Sequence, residues 1–308
     1  MGAIARSLSQ YSTLLIILLG ISLGFLLPNV GLTWKPYLSY LLMLLMFFVS
    51  LTIEPVEITH SIRNYSLIAL ALFMVFIVTP SLSLLARPLF SQADYTGTVL
   101  AFACPSAIAT SFWCSVICGD VPTGLVISTV TNLLAIVTLP FTMLMVLGAA
   151  VSINAGSMVL NLAELILIPL GASFVLRALA KKSLRHMTGY TLRANSIIMM
   201  LLIWGSIAPG VAHAEKDPLE FAFLNIFMLT MLALAFCIAF KLGKSYGREQ
   251  AVTIGIASSV KNAALSLVLG LTIFGSSVLS PLIANLIEQN ILLIPLTIIL
   301  KKTPRQGV

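Results

Sequence analysis

Apolar residues run along this chain in long blocks. They show neither the alternation of a strand nor the three-to-four spacing of a surface helix. Ten blocks approach the roughly 20 residues that a helix needs to cross a bilayer core. The pattern predicts spans at about Tyr11–Pro28, Trp34–Ile53, Ser66–Phe90, Tyr95–Cys118, Thr123–Ala150, Met158–Leu179, Leu192–His213, Leu219–Lys241, Gln250–Phe274 and Val278–Leu300. No run alternates in the manner of a transmembrane barrel. No small-residue cleavage site follows the first span, so it reads as retained. The expected fold class is an all-α polytopic membrane protein.

Composition narrows the function classes. The chain is 59% hydrophobic and 9% charged, where a soluble domain is about 45–50% and about 25%. That excludes a soluble enzyme, a disordered chain and a nucleic-acid binder, despite a pI near 9.4. The basic residues instead report orientation. One side of the predicted topology holds Arg6, Arg63, Arg177, Lys181, Lys182, Arg185, Arg193, Lys241, Lys244, Arg248, Lys301, Lys302 and Arg305. The other holds Lys35, Arg87 and Lys216. By the positive-inside rule both termini are cytoplasmic, in a plasma membrane or bacterial inner membrane. The net charge of +7 then faces anionic lipid headgroups, and no nucleic-acid partner is required. The seventeenth basic residue, Lys261, falls in the middle of the ninth span.

Ten spans divide into five and five, residues 1–150 and 151–308. An odd number per half turns the second half upside down, the layout of inverted-repeat transporters. Two short matches support it. Ala107–Ser111 resembles Gly255–Ser259 at a spacing of 148, and Pro140-Phe141-Thr142 resembles Pro295-Leu296-Thr297 at 155. The fourth span clusters Pro105, Ser106, Thr110 and Ser111; the ninth has Gly255, Ser258, Ser259, Lys261 and Asn262. Proline and small polar residues loosen a helix. Broken backbone at membrane depth is tolerated only where protein or water surrounds it, and marks transporter binding sites. The competing reading is a pair of kinked packing helices. Packing alone accounts for the Gly20–Gly24 pair.

A lysine at a span centre costs about 2.5–3.5 kcal/mol on insertion scales, so a role or a counter-charge is expected. Glu288, in the tenth span, is the expected partner; Glu164, in the sixth, is the other candidate. Asp120 is expected in a solvated loop. Cys104, Cys114, Cys118 and Cys237 read as small apolar residues. His60, His186 and His213 form no ligand cluster. No catalytic constellation, metal site or cofactor site is visible.

On these residues the chain resembles the bile acid:sodium symporter family. The likeness rests on ten spans, the polar broken fourth span and Lys261-Asn262-Ala263-Ala264-Leu265-Ser266 in the ninth. It covers the whole chain in layout and is sharp in the two broken helices. The resemblance implies a core of spans 3–5 and 8–10, a panel of spans 1, 2, 6 and 7, and fourth and ninth spans that cross at mid-membrane. It implies organic anions as substrates, moved by alternating access of core against panel.

The departures are specific. The family's ninth span has Glu, three residues, then Gln-Asn; here those places hold Ala257, Lys261 and Asn262. Its fourth span has Pro-Gly-Gly, two residues, then Ser-Asn; here they read Pro105-Ser106-Ala107, Ile108-Ala109 and Thr110-Ser111. Its third span often has Gln five residues before a proline; here Val75 precedes Pro80. Ser128 keeps a hydroxyl where the fifth span commonly offers a sodium-binding Thr. By the resemblance these positions build two sodium sites. An ammonium at Lys261 would stand where a sodium sits.

The expectation is a secondary transporter of a small organic anion, not sodium-coupled, with proton coupling and passive transport both open. Lys261, Asn262, Ser106, Ile108, Thr110, Ser111, Ser258 and Ser259 are the substrate-binding candidates. Lys261, Glu288 and Ser128 are the coupling candidates. A sodium-coupled symporter of the usual family type, an arsenite-type exporter using Cys104, a channel or sensor, and an intramembrane enzyme are the alternatives.

Overall fold

A computed structural model describes residues 3–51, 64–148, 151, 154–214 and 217–301; side chains of 3–14, 180–193, 212–214 and 301 lie outside that description. The orientation argument from Arg6, Arg63, Lys181, Lys182, Arg185, Arg193, Lys216, Lys301, Lys302 and Arg305 therefore stays a sequence argument. His60, His186 and His213 also lie outside it. The described chain is helical throughout its regular structure. Six helices are long and apolar enough to cross a membrane: Tyr65–Ala86, Val121–Leu147, Ala155–Leu179, Ala194–Val211, Pro218–Tyr246 and Ser276–Leu300. Shorter apolar helices occupy Leu15–Leu26, Lys35–Ser50 and Ala263–Phe274. This is an all-α, multi-pass membrane protein.

We number the helices α1 (Ala3–Leu26), α2 (Pro28–Leu32), α3 (Leu38–Ser50), α4 (Tyr65–Ala86), α5 (Gln92–Ala103) and α6 (Thr110–Ile117). They continue with α7 (Val121–Leu147), α8 (Ala155–Ala214), α9 (Pro218–Gly243), α10 (Arg248–Ser259), α11 (Ala263–Leu269) and α12 (Leu279–Lys301). Two compact units share the chain, and each is discontinuous.

The first unit takes Met1–Ile53, Asn154–Asp217 and Ala264–Ser280. In it α1, α2 and α3 pack on α8. Glycine makes this contact close. A methyl group at Gly24 would stand 2.7 Å from Ile207 Cγ2, and one at Gly31 2.6 Å from Ala208 Cβ. The Gly20–Gly24 pair is thus a packing feature, since Gly20 faces Ile203 in the same way. Trp204 Nε1 donates to the Leu27 carbonyl at 3.1 Å, and the Arg177 guanidinium donates to the Leu51 carbonyl. The Leu27 carbonyl also accepts from Gly31 N at 3.2 Å, so the indole joins a carbonyl at the start of α2. The loop expected between Leu179 and Leu192 is replaced by helical backbone, because α8 runs unbroken from Ala155 to Ala214. The joining residues contain no proline and include Ala180, Lys181, Lys182, Leu184, Arg185 and Met187, good helix formers that carry the backbone through despite Gly189.

The second unit takes Glu54–Ile153, Pro218–Ala263 and Pro281–Val308. Phe90 packs against Phe223 and Phe227, with ring centroids 5.3 Å away in each case. Arg248 Nη2 donates to the Leu300 carbonyl at 2.6 Å, holding the end of α12 beside the start of α10. Asp120 is not merely a solvated loop residue. Its Oδ1 caps α7 by accepting from Thr123 N, and its own N–H donates to Thr253 Oγ1 at 2.8 Å. Gln250 Nε2 reaches Asp120 Oδ2 at 3.4 Å. One carboxylate therefore terminates the α6–α7 turn and ties it to α10.

Candidate functional site

Two helix interruptions meet inside the second unit. The first follows α5: Cys104 takes extended backbone (ψ 147) before Pro105, which cannot continue a hydrogen-bond ladder. The second follows α10 at Val260, also extended (φ −101, ψ 101). Each supplies what the other lacks. Ala107 N donates to Val260 O and Asn262 N donates to Pro105 O, both at 2.9 Å. Ser106 and Lys261 thereby form an antiparallel bridge, isolated among helices.

In this pairing the carbonyl of Ser106 and the N–H of Lys261 point away from the ladder. Side chains from two flanking helices satisfy them. Asn132 Nδ2, on α7, donates to Ser106 O at 2.9 Å and to Ser128 O at 2.8 Å. Its Oδ1 accepts from Asn262 Nδ2 at 2.9 Å. Gln289 Oε1, on α12, accepts from Lys261 N at 2.9 Å. Buried polar backbone unpaired at this depth would cost several kcal/mol per group, on the order of what the crossing avoids.

The Lys261 ammonium turns to α4. Within α4 a π-helical turn spans Met74–Val78, and Thr79 N–H reaches back five residues to Met74 O. This leaves the Val75 carbonyl without its helical donor. The Thr79 hydroxyl reaches that carbonyl at 2.8 Å, and Lys261 Nζ joins it, donating to Val75 O at 3.2 Å and to Thr79 Oγ1 at 2.9 Å. The lysine is 0% exposed. Ala257 packs with Leu67, Ala71, Met74, Ile127 and Ile254 in an apolar cluster.

Residues 12–298 match the SBF-like CPA transporter family. The chain belongs to that family. The resemblance to bile acid:sodium symporters is accordingly borne out, and the protein is a secondary transporter of that type. Two proteins of Bacillus subtilis strain 168 are similar to it. The uncharacterized protein YbaS is 24% identical over 245 residues, 77% of this chain and 79% of its own. YocS, described as an uncharacterized sodium-dependent transporter, is 23% identical over 255 residues, 79% of this chain and 78% of its own.

The residues singled out in this family member divide into three groups. Ser106, Lys261, Asn262 and Thr110 meet at the crossing and are buried there. Thr110 Oγ1 donates to Ala107 O at 2.6 Å, and Ser106 Oγ lies 2.8 Å from Thr110 Oγ1. Ile108 and Ser111 are half-buried around the start of α6. Ser258 and Ser259 do not present their hydroxyls to the crossing. They donate back to Ile254 O and Gly255 O within α10, at 2.7 and 2.9 Å, as serine does in helices. Ser128 Oγ likewise donates to Leu125 O at 2.9 Å, while its carbonyl holds Asn132.

The expected Lys261–Glu288 pair is not formed, because the freed carbonyl of α4 offers the ammonium an acceptor and Gln289 takes the place beside the lysine backbone. Sequence reading did not single out Thr79, Asn132 or Gln289. Their signal was weak: each is one of several polar residues in its span. The 148-residue match of Ala107–Ser111 with Gly255–Ser259 is also corrected. The first stretch lies after its break and the second before it.

Proposed function

We propose that this protein is a ten-span, inverted-repeat carrier of a small organic anion and that it does not couple to sodium. The observation that carries the sodium reading is the bonding of Lys261 Nζ to Val75 O and Thr79 Oγ1. By the family resemblance, Val75 and Ala257 stand where sodium-coordinating side chains are expected. Here both are apolar and buried, and a fixed ammonium stands beside them. A monovalent cation and an ammonium would compete for the same space and the same oxygens, and the lysine is covalently held there.

A shift of 155 residues, the separation of Ser106 from Lys261, supports the repeat. It carries α4 onto α9, α5 onto α10, α6 onto α11 and its π-helical continuation, and α7 onto α12, each within a few residues. The repeats would divide near residues 150 and 151. The two breaks then account for the fourth and ninth spans, completing ten. The second unit corresponds to the expected core of spans 3–5 and 8–10, except that residues 264–280 cluster with the first unit, which otherwise holds the panel spans 1, 2, 6 and 7.

The anion reading rests on two positive features. Helix α6 starts at the crossing without a side-chain cap; Thr110 N is bonded to Ala107 O, and the N–H groups of the rest of the first turn and the helix dipole favour an anion there. Lys261 adds a full charge that acts through the low-dielectric interior rather than by contact, since it is fully enclosed. Asn262, Ser106, Thr110, Ile108 and Ser111 would shape the pocket around that helix start. The name of YocS favours a second reading, sodium-coupled transport.

A thermal-stabilisation screen of the purified protein against small carboxylates, followed by proteoliposome uptake of the best hit, separates the two. Uptake is expected to be unchanged when sodium is replaced by potassium. A strict sodium requirement would overturn the proposal.

A further inference from the structure

Asn285 is enclosed in α12 at 0% exposure, yet neither its Oδ1 nor its Nδ2 has a hydrogen-bond partner. An unsatisfied buried amide is destabilising, so an apolar residue would be the more stable occupant. Three residues on stands Glu288, 6% exposed and, among the described residues, in no ion pair. Four residues on stands Gln289, bonded to the Lys261 N–H. Residues three and four apart share a helix face with Cβ atoms about 5–6 Å apart. Helical side chains also lean towards the N-terminus, so Glu288 leans over Asn285.

The chemistry of the two groups is complementary in one protonation state only. An ionised carboxylate accepts hydrogen bonds and donates none, so it would satisfy Asn285 Nδ2 and leave Oδ1 orphaned. A protonated carboxyl has one O–H and one carbonyl oxygen. It matches a carboxamide in two antiparallel hydrogen bonds: the Glu288 O–H donates to Asn285 Oδ1, and Asn285 Nδ2–H donates to the Glu288 carbonyl.

We propose that Asn285 and Glu288 form a proton-binding site on α12, in which Glu288 takes up a proton and the resulting acid turns onto the Asn285 carboxamide. The proton comes from solvent hydronium. One O–H bond of hydronium breaks and leaves water, one O–H bond forms on Glu288, and one negative charge disappears from the second unit. The two side chains stand apart in the present structure, so pairing requires a change between staggered rotamers. The ionisable side chains at the crossing beside α12 are Lys261 and Cys104, and neither bonds to Glu288. The site deepens the transport reading by supplying a coupling proton where sodium is displaced, and it rests on that reading only for its use in transport.

Infrared difference spectra between acidic and alkaline buffer, on the full chain in lipid vesicles, test it without a substrate. A protonated-carboxyl C=O band is expected in the wild type and absent from Glu288→Gln. In Asn285→Leu that band is expected at higher wavenumber, because the carbonyl has lost its hydrogen bond. Asn285→Leu is also expected to melt at or above the wild-type temperature in alkaline buffer; Asn285→Ala gives the same comparison where leucine overfills the site. A Glu288-dependent band that both Asn285 variants leave unmoved would overturn the pairing. Absence of any Glu288-dependent band would overturn the proton site. A band behaving as expected, with no carboxylate uptake driven by a proton gradient, would overturn the coupling and leave the site standing.

Discussion

The lysine at the crossing is held by oxygens that carry no charge, a carbonyl and a hydroxyl of α4. Its charge therefore remains uncancelled at short range and is felt by whatever enters the start of α6. One unit charge at about 10 Å and an effective dielectric near 20 is worth roughly 1–2 kcal/mol. Lys261→Met, which keeps the volume and discards the charge, is expected to weaken carboxylate binding about tenfold. It should leave the melting temperature within a few degrees of wild type, because a buried charge is replaced by an apolar chain of similar shape. Titrating the thermal shift of the best carboxylate ligand measures both. Equal affinity in the variant would remove Lys261 from the substrate argument. The sequence showed that this residue was the one basic side chain no loop could house. It did not show the partner, because the Val75 carbonyl is freed only by a π-helical turn in a different helix.

Among the helices, the two breaks were unequally legible. Pro105 marks the first directly, since proline ends a ladder wherever it falls inside a helix. The second break, at Val260–Asn262, contains neither proline nor glycine. It exists because Pro105–Ala107 and Gln289 provide better partners for its backbone than the next helical turn would. That is long-range information, and a motif match based on local composition misplaced it by seven residues.

Asn132→Leu would strip partners from Ser106 O, Ser128 O and Asn262 Nδ2 together. A loss of about 1–3 kcal/mol is expected, read as a lower melting temperature in detergent. Asn285→Leu moves the same measurement the other way, so the pair separates a satisfied polar residue from an orphaned one. On α2, Gly31→Leu drives a side chain into Ala208 and Trp204 and is expected to cost about 1–3 kcal/mol or more by overpacking. A neutral result in a melting assay would show that α2 shifts freely on α8.

At the scale of the whole molecule, the prediction concerns what drives transport. Removing sodium is expected to leave carboxylate uptake unchanged in proteoliposomes, and an inward proton gradient is expected to accelerate it. The inverse pattern would restore the usual sodium-coupled reading. The sequence by itself determined that this chain lives in a membrane, because 9% charged residues cannot solvate a 33.1 kDa surface. It also determined the place of Pro105 and the presence of a charge at mid-span, since proline and lysine carry their physics with them in any surroundings. Tertiary structure alone decided where Lys261 points, which amides cap the crossing and which amide is left unpaired. Each of those depends on backbone groups brought together from distant parts of the chain, and a hydrogen bond has no signature in the residue types until its partner's position is known.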